Sequence, residues 1–140
     1  DSPLHAGLVN LVRDLNQNYL GHSGWAKADH RSDKFRWVDC SDKDRQTLSF
    51  LRYGEDARDT LLVACNFSNQ LVHRDWGCPH AGNWRVLMDT DSPDYGGGGA
   101  AVGNEFSTIP TPCNGLAQTL SFSVGQWSVR ILFPADPVNE

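Results

Sequence analysis

The sequence predicts an all-β domain, an antiparallel Greek-key β-sandwich or barrel, carrying one α-helix at its N-terminus. Short runs of alternating or continuous apolar residues, seven or eight of them, are separated by turn-forming residues from about Phe35 onward. No helical period interrupts them, which excludes a βαβ architecture. The chain has 140 residues, 39% hydrophobic and 21% charged, so it has room for one core rather than two.

The helix is expected over Ser2 to Leu20. Ser2 suits the N-cap and Pro3 the first helical position, where a missing N–H costs nothing. Leu4, Leu8, Leu11, Val12, Leu15 and Tyr19 recur at three- and four-residue spacing and form one apolar stripe. Gly21 can take the left-handed conformation that ends a helix. The stripe must be buried, either on the strands that follow or on a neighbouring domain; periodicity alone leaves both open. Residues 22–34 are polar, without a period, and read as a linker.

Phe35 to Val38 is a short strand, and the acidic stretch Asp39 to Asp44 reads as a turn. In Thr47 to Tyr53, Leu48 and Phe50 alternate with Thr47 and Ser49. Thr60 to Phe67 is apolar on both faces, as a central strand covered on each side must be. Leu71 to Trp76 is an edge strand, and Cys78 to Gly82 a turn. The strand around which the rest is organised begins at Trp84, with Trp84, Val86 and Met88 expected on one face. Asp89 to Pro93 supplies turn-forming side chains, and Gly96 to Gly99 must be loop because ordering four glycines in a regular element is too costly. Glu105 to Ile109 is a weak strand. Leu120, Phe122 and Val124 alternate with serines, and Trp127, Val129, Ile131 and Phe133 make the last strand before Pro134.

Net charge is −5 and the basic residues are scattered, which argues against nucleic acid as a partner. No apolar run approaches the ~20 residues that cross a bilayer, so no membrane partner is expected. Cys40, Cys65, Cys78 and Cys113 are irregularly spaced. Cys40 and Cys65 lie at apolar strands, where cysteine behaves as a small buried hydrophobe. Reduced thiols and a cytoplasmic location are the expectation.

Catalytic chemistry finds no anchor. Cys65, His73, Cys78 and His80 lack any Cys-x-x-Cys or His-x-x-x-His spacing, so no metal is expected. Serines lie in no Gly-x-Ser-x-Gly elbow. Asp89 and Asp91 suit a turn better than an acid/base pair. The glycine run does not open a helix and makes no phosphate cradle. No catalytic, cofactor or metal residue is assigned. Sugar stacking is the one activity the composition keeps open: Trp76, Trp84 and Tyr95 adjoin turns and are the candidate glucan-binding residues, whereas Trp37 and Trp127 run in phase with core positions and are expected to be buried.

Four segments carry a resemblance that covers nearly the whole chain. They are Leu11 to Asn16, Phe35 to Cys40 with Leu48 to Arg52, Val63 to Phe67, and Pro79 through Trp84-Arg85 and Thr90-Asp91-Ser92 to Tyr95-Gly96-Gly97, Gly103 and Asn104. In this order and spacing the chain resembles the C-terminal region of bacterial-type 1,4-alpha-glucan (glycogen) branching enzymes of the alpha-amylase superfamily. It departs from that pattern at Ser68 to Val72 and at Ser123 to Trp127. The resemblance implies that residues 1–21 are the last helix of a catalytic (β/α)8 barrel, 22–34 a linker, and 35–140 a non-catalytic all-β domain whose partner is that barrel. In such enzymes the catalytic carboxylates lie on the barrel, so none is carried over. A free-standing alpha-glucan-binding module is the competing expectation.

Overall fold

The computed structural model describes residues 7, 9–14, 16, 17, 35–42, 44–54 and 59–135. Helical backbone occupies residues 7, 9–14, 16 and 17, and eight strands follow. They are β1 (Phe35–Asp42), β2 (Thr47–Arg52), β3 (Leu61–Asn66), β4 (Val72–Cys78), β5 (Asn83–Asp89), β6 (Glu105–Ser107), β7 (Gln118–Val124) and β8 (Ser128–Pro134). The ends expected for the helix, and the linker 22–34, lie outside the described residues.

Six strands form one antiparallel sheet in the order β1-β2-β3-β8-β5-β6, and β4 pairs with β7 in a second, two-stranded sheet. The two layers make a sandwich. Chain order departs from sheet order because β4 crosses to the second layer and β8 returns between β3 and β5. The register explains the continuous apolar run of β3: its flanks are β2 and β8, and all six residues are buried.

Between the layers lies the main core. Leu51, Leu62, Ala64, Trp84 and Leu132 of the large sheet meet Trp76, Cys78, Leu120, Phe122 and Val124 of the small one. Trp76 stacks on Phe122 at 5.2 Å between ring centres, and Phe122 on Phe106 at 5.4 Å. The indole N–H groups of Trp76 and Trp84 donate to the carbonyls of Phe122 and His80, so neither large ring is buried with an unpaired donor.

Two buried arginines join the layers at opposite edges. Arg74 of β4 binds Asp39 and Asp42 of β1 at 2.8 Å each and also donates to Thr47. Asp39 to Asp42, expected to be a turn, therefore continues β1 as an irregular strand whose carboxylates face this arginine. Burial works to raise the Asp42 carboxyl; hydrogen bonds from Thr47 and the Arg45 amide and the charges of Arg45 and Arg74 outweigh it and hold the group below its usual range. On the far side, Arg130 of β8 binds Asp89 of β5 at 2.8 Å and donates to the carbonyls of Ser123 and Gly103.

Several expectations are corrected. Trp84 and Val86 face the main core, but a β-bulge between Val86 and Met88 turns Met88 to the opposite face, so the three do not share one side. Trp37 and Trp127 are exposed, at 53% and 69%. Trp37 stands on the outer side of an edge strand, and Trp127 sits at φ 51° in the turn before β8, outside the alternation that would have placed it. Cys40, also on edge strand β1, is exposed rather than buried. The segment Leu71 to Trp76, expected at an edge, is an edge of the second sheet: as β4 it starts at Val72, pairs only with β7 and runs on to Cys78.

Candidate docking face

The outer face of the six-stranded sheet is also apolar, and this is the unusual feature of the molecule. An antiparallel sheet that faces water alternates apolar and polar residues. Here the pairing aligns Trp37, Phe50, Val63, Ile131 and Met88 across β1, β2, β3, β8 and β5 in one row. Leu48, Cys65 and Val129 form a second row beside it. Phe35 stacks on Phe50 at 5.1 Å, and Trp37 meets both rings edge-on at 5.1 and 5.7 Å.

Cover on this face is uneven along the first row. Met88 is 3% exposed, whereas Trp37 at the other end is half exposed. The cover at the β5 end comes from Tyr95 and from Leu11 of the helix, both packed on this outer cluster. The β1–β2 end, with its three aromatic rings, carries no comparable cover among the described residues.

Residues 7, 10, 11 and 14 of the helix make the contact, the spacing of one helical face. A Cβ at Gly7 would lie 2.3 Å from the Tyr95 carbonyl carbon and 2.6 Å from the Gly96 nitrogen, so helix and loop backbones touch directly and only glycine fits. The Asn10 amide donates to the Asp94 carbonyl at 3.2 Å, and the Tyr95 hydroxyl donates to Asp14 Oδ2 at 2.6 Å. Val9 and Val12, on other sides of the same helix, are 54% and 50% exposed. Of the stripe expected from the sequence, Leu11 points to the sandwich and Val12 does not; Leu4, Leu8, Leu15 and Tyr19 lie outside the described side chains. Among the described residues the helix is thus seated on the β domain by Gly7, Asn10, Leu11 and Asp14, while Val9 and Val12 face away.

The seat is the loop after β5. Asp91 organises it: Oδ1 accepts from the Gly98 amide at 3.0 Å, Oδ2 from the Ala100 amide at 2.9 Å, and its carbonyl from the Gly99 amide at 2.7 Å. Asp89 in turn accepts from the Asp91 amide. Ser92 caps a 3-10 turn, Pro93–Tyr95, closed by Gly96 at φ 87°. A Cβ on Gly97 would fall 2.2 Å from the Asp91 carbonyl oxygen, which explains a glycine there. A polar hollow of about 260 Å³ between Asp89, Ser92, Asn104 and Arg130 is part of the same construction, and the Arg130 nitrogens in it are engaged by protein acceptors.

Of the residues singled out for glucan stacking, Trp76 and Trp84 are completely buried in the main core, with their faces against Phe122 and His80. Neither has a face open to a pyranose ring, because core packing rather than the neighbouring turn decides their placement. Tyr95 is separate from both, half-buried under the helix; burial first, and then the Asp14 carboxylate, push its phenol up to about 12. The sequence missed Gly7, Asn10 and Asp14, whose signal was small and polar residues at helical spacing.

Among the described residues no group of His, Cys, Asp and Glu is arranged to hold a metal ion. The four cysteines are free. Burial pushes the Cys65 thiol up to about 11 and the Cys78 thiol to about 12, so neither is a ready nucleophile. No described helix is long and apolar enough to cross a membrane.

Comparison with known proteins bears on this face. Residues 37–135 match the alpha amylase C-terminal all-beta domain. The chain is 38% identical to the 1,4-alpha-glucan branching enzyme GlgB of Rhodospirillum rubrum, over 99% of this chain and 19% of that protein. The protein of the same name in Shewanella frigidimarina is 35% identical over 93% of this chain and 18% of its own length. That of Nocardia farcinica is 42% identical over 74% of this chain and 14% of its own. The chain therefore spans less than a fifth of the length of these relatives.

Proposed function

The chain belongs to the alpha-amylase C-terminal all-beta domain family, and from that premise we propose that it is the non-catalytic C-terminal β domain of a 1,4-alpha-glucan branching enzyme of the bacterial cytoplasm. Its partner is the catalytic (β/α)8 barrel of the same polypeptide, which it stabilises. Residues 1–21 are the barrel's last helix, 22–34 the linker and 35–140 the β domain. The observation that carries this reading is the two-sided helix: Gly7, Asn10, Leu11 and Asp14 sit on the sandwich while Val9 and Val12 remain exposed. Two exposed valines on the helix and an apolar sheet face open at its β1 end are what a further layer would cover. Resemblance to branching enzymes over nearly the whole chain supports the barrel as that layer. The competing reading, a free-standing glucan-binding module, loses Trp76 and Trp84 as stacking faces to burial and would have to use the exposed Trp37 or Trp127 instead.

The test is a chimera. This chain, put in place of the matching fifth of the Rhodospirillum rubrum branching enzyme, is expected to support conversion of amylose to branched glucan, while the 140-residue chain alone has no such activity. Branching by the isolated chain, or a soluble folded chimera that cannot branch, contradicts the reading.

A further inference from the structure

Most of the Asp91 loop's hydrogen bonds are internal, yet the loop's outer surface is shaped to one helix. Asp91 fixes three successive amides, Gly98 to Ala100, by its own oxygens, and Gly125 approaches so closely that a Cβ there would lie 2.6 Å from Asp91 Oδ2. The resulting platform offers the helix three different contacts: bare backbone at Tyr95 and Gly96 for Gly7, a carbonyl at Asp94 for Asn10, and a phenol at Tyr95 for Asp14. A single apolar contact lets a helix roll about its axis. Three distinct contacts at positions 7, 10 and 14 do not, because rolling by one residue breaks all of them at once.

We propose that the loop of residues 91–100 is an orienting clamp for the N-terminal helix, with Tyr95 as its positioning residue. The clamp sets the roll and angle at which Val9 and Val12 are presented away from the sandwich. That the surface so presented meets the catalytic barrel rests on the function proposed above; the clamp itself does not.

The experiment is amide hydrogen exchange on the intact 140-residue chain, comparing the amides of residues 9–14 with those of β3. In Tyr95→Phe the helix amides are expected to exchange roughly fivefold faster, the scale of one lost hydrogen bond, while β3 is unchanged. Asp14→Asn, which keeps an acceptor oxygen, is expected to lose less protection than Asp14→Ala. Gly97→Ala, which displaces the Asp91 carbonyl, is expected to release the helix more than either. Unchanged helix exchange in Tyr95→Phe overturns the proposal, as does equal acceleration of helix and β3 in all these variants, which would mean general loosening. The same substitutions in the chimera separate the two claims. Helix release with a chimera that never branches upholds the clamp and sinks the functional reading; an active chimera without helix release does the reverse.

Discussion

The two faces of the six-stranded sheet have similar chemistry and different fates. The inner face, with Leu51, Leu62, Trp84 and Leu132, is completely closed by the two-stranded sheet. The outer face carries Phe50, Val63, Ile131 and Phe133; it is buried across β3, β8 and β5, with Tyr95 and Leu11 packed on it, and among the described residues it is open at the β1 end, where Trp37 is half exposed. A lone domain gains nothing from a second apolar face left open at one end, since exposed aromatic area invites association. The difference teaches that one face holds this domain together, while the other keeps an open aromatic end at β1, the end that the proposed function assigns to a neighbouring layer.

The largest effect that sharpens this contrast belongs to the inner face. Trp84→Ala removes a fully buried ring from the main core and is expected to destabilise the chain by about 4 kcal/mol, measured by urea unfolding. A value below about 1 kcal/mol would mean that the inner face is not the centre of stability. Next comes the ion pair that ties β8 to β5: Arg130→Met leaves Asp89 without its cation and is expected to cost about 3 kcal/mol in the same measurement.

The helix seat responds to pH. The Tyr95 phenol has a folded pKa raised from 10 to about 12, with burial as the first cause and Asp14 and Asp94 as the neighbouring carboxylates; Arg13 opposes them. A raised folded pKa means that this contribution is complete below pH 10 and is lost as pH rises through about 12. Burial also pushes the Cys65 thiol of β3 up to about 11, so β3 weakens in the same range; helix protection is therefore expected to fall further in the unsubstituted chain than in Tyr95→Phe, with β3 falling alike in both. The smallest effect belongs to the open end of the outer face. Trp37→Ser in the isolated chain is expected to change stability by no more than about 0.5 kcal/mol, because a half-exposed ring loses little on removal. In the chimera the same change should cost clearly more, and equal values in the two settings would break the contrast.

The existence of the strands and the continuous burial of β3 were readable because alternation and apolar runs report which residues can face a core. The faces themselves were harder. Leu48 and Phe50 alternate with Thr47 and Ser49, yet it is the threonine and serine that point inward, next to Arg74 and Ala64. Both sides of β2 are tolerably apolar in context, so period two could not say which side was closed by the second sheet. The tryptophans were misplaced for the same reason. Trp37 is in phase with apolar neighbours but on the open face, and Trp76 and Trp84 lie near turns yet fill the main core. The bulge at β5 reversed Met88 without any glycine or proline to announce it. Arg74 and Arg130 left a faint signal: charged residues at inward positions of otherwise apolar strands, with Asp39, Asp42 and Asp89 elsewhere in the chain to meet them. Their partners are distant in sequence, and spacing does not report such pairs.

The central claim, that the outer face is completed by a neighbouring domain, is tested most directly by hydroxyl-radical footprinting of Trp37 and Phe50 in the isolated chain and in the chimera. The account predicts strong labelling of Trp37 in the isolated chain and severalfold protection once the barrel is attached, with buried Trp84 silent in both. Equal labelling of Trp37 in the two proteins would contradict it.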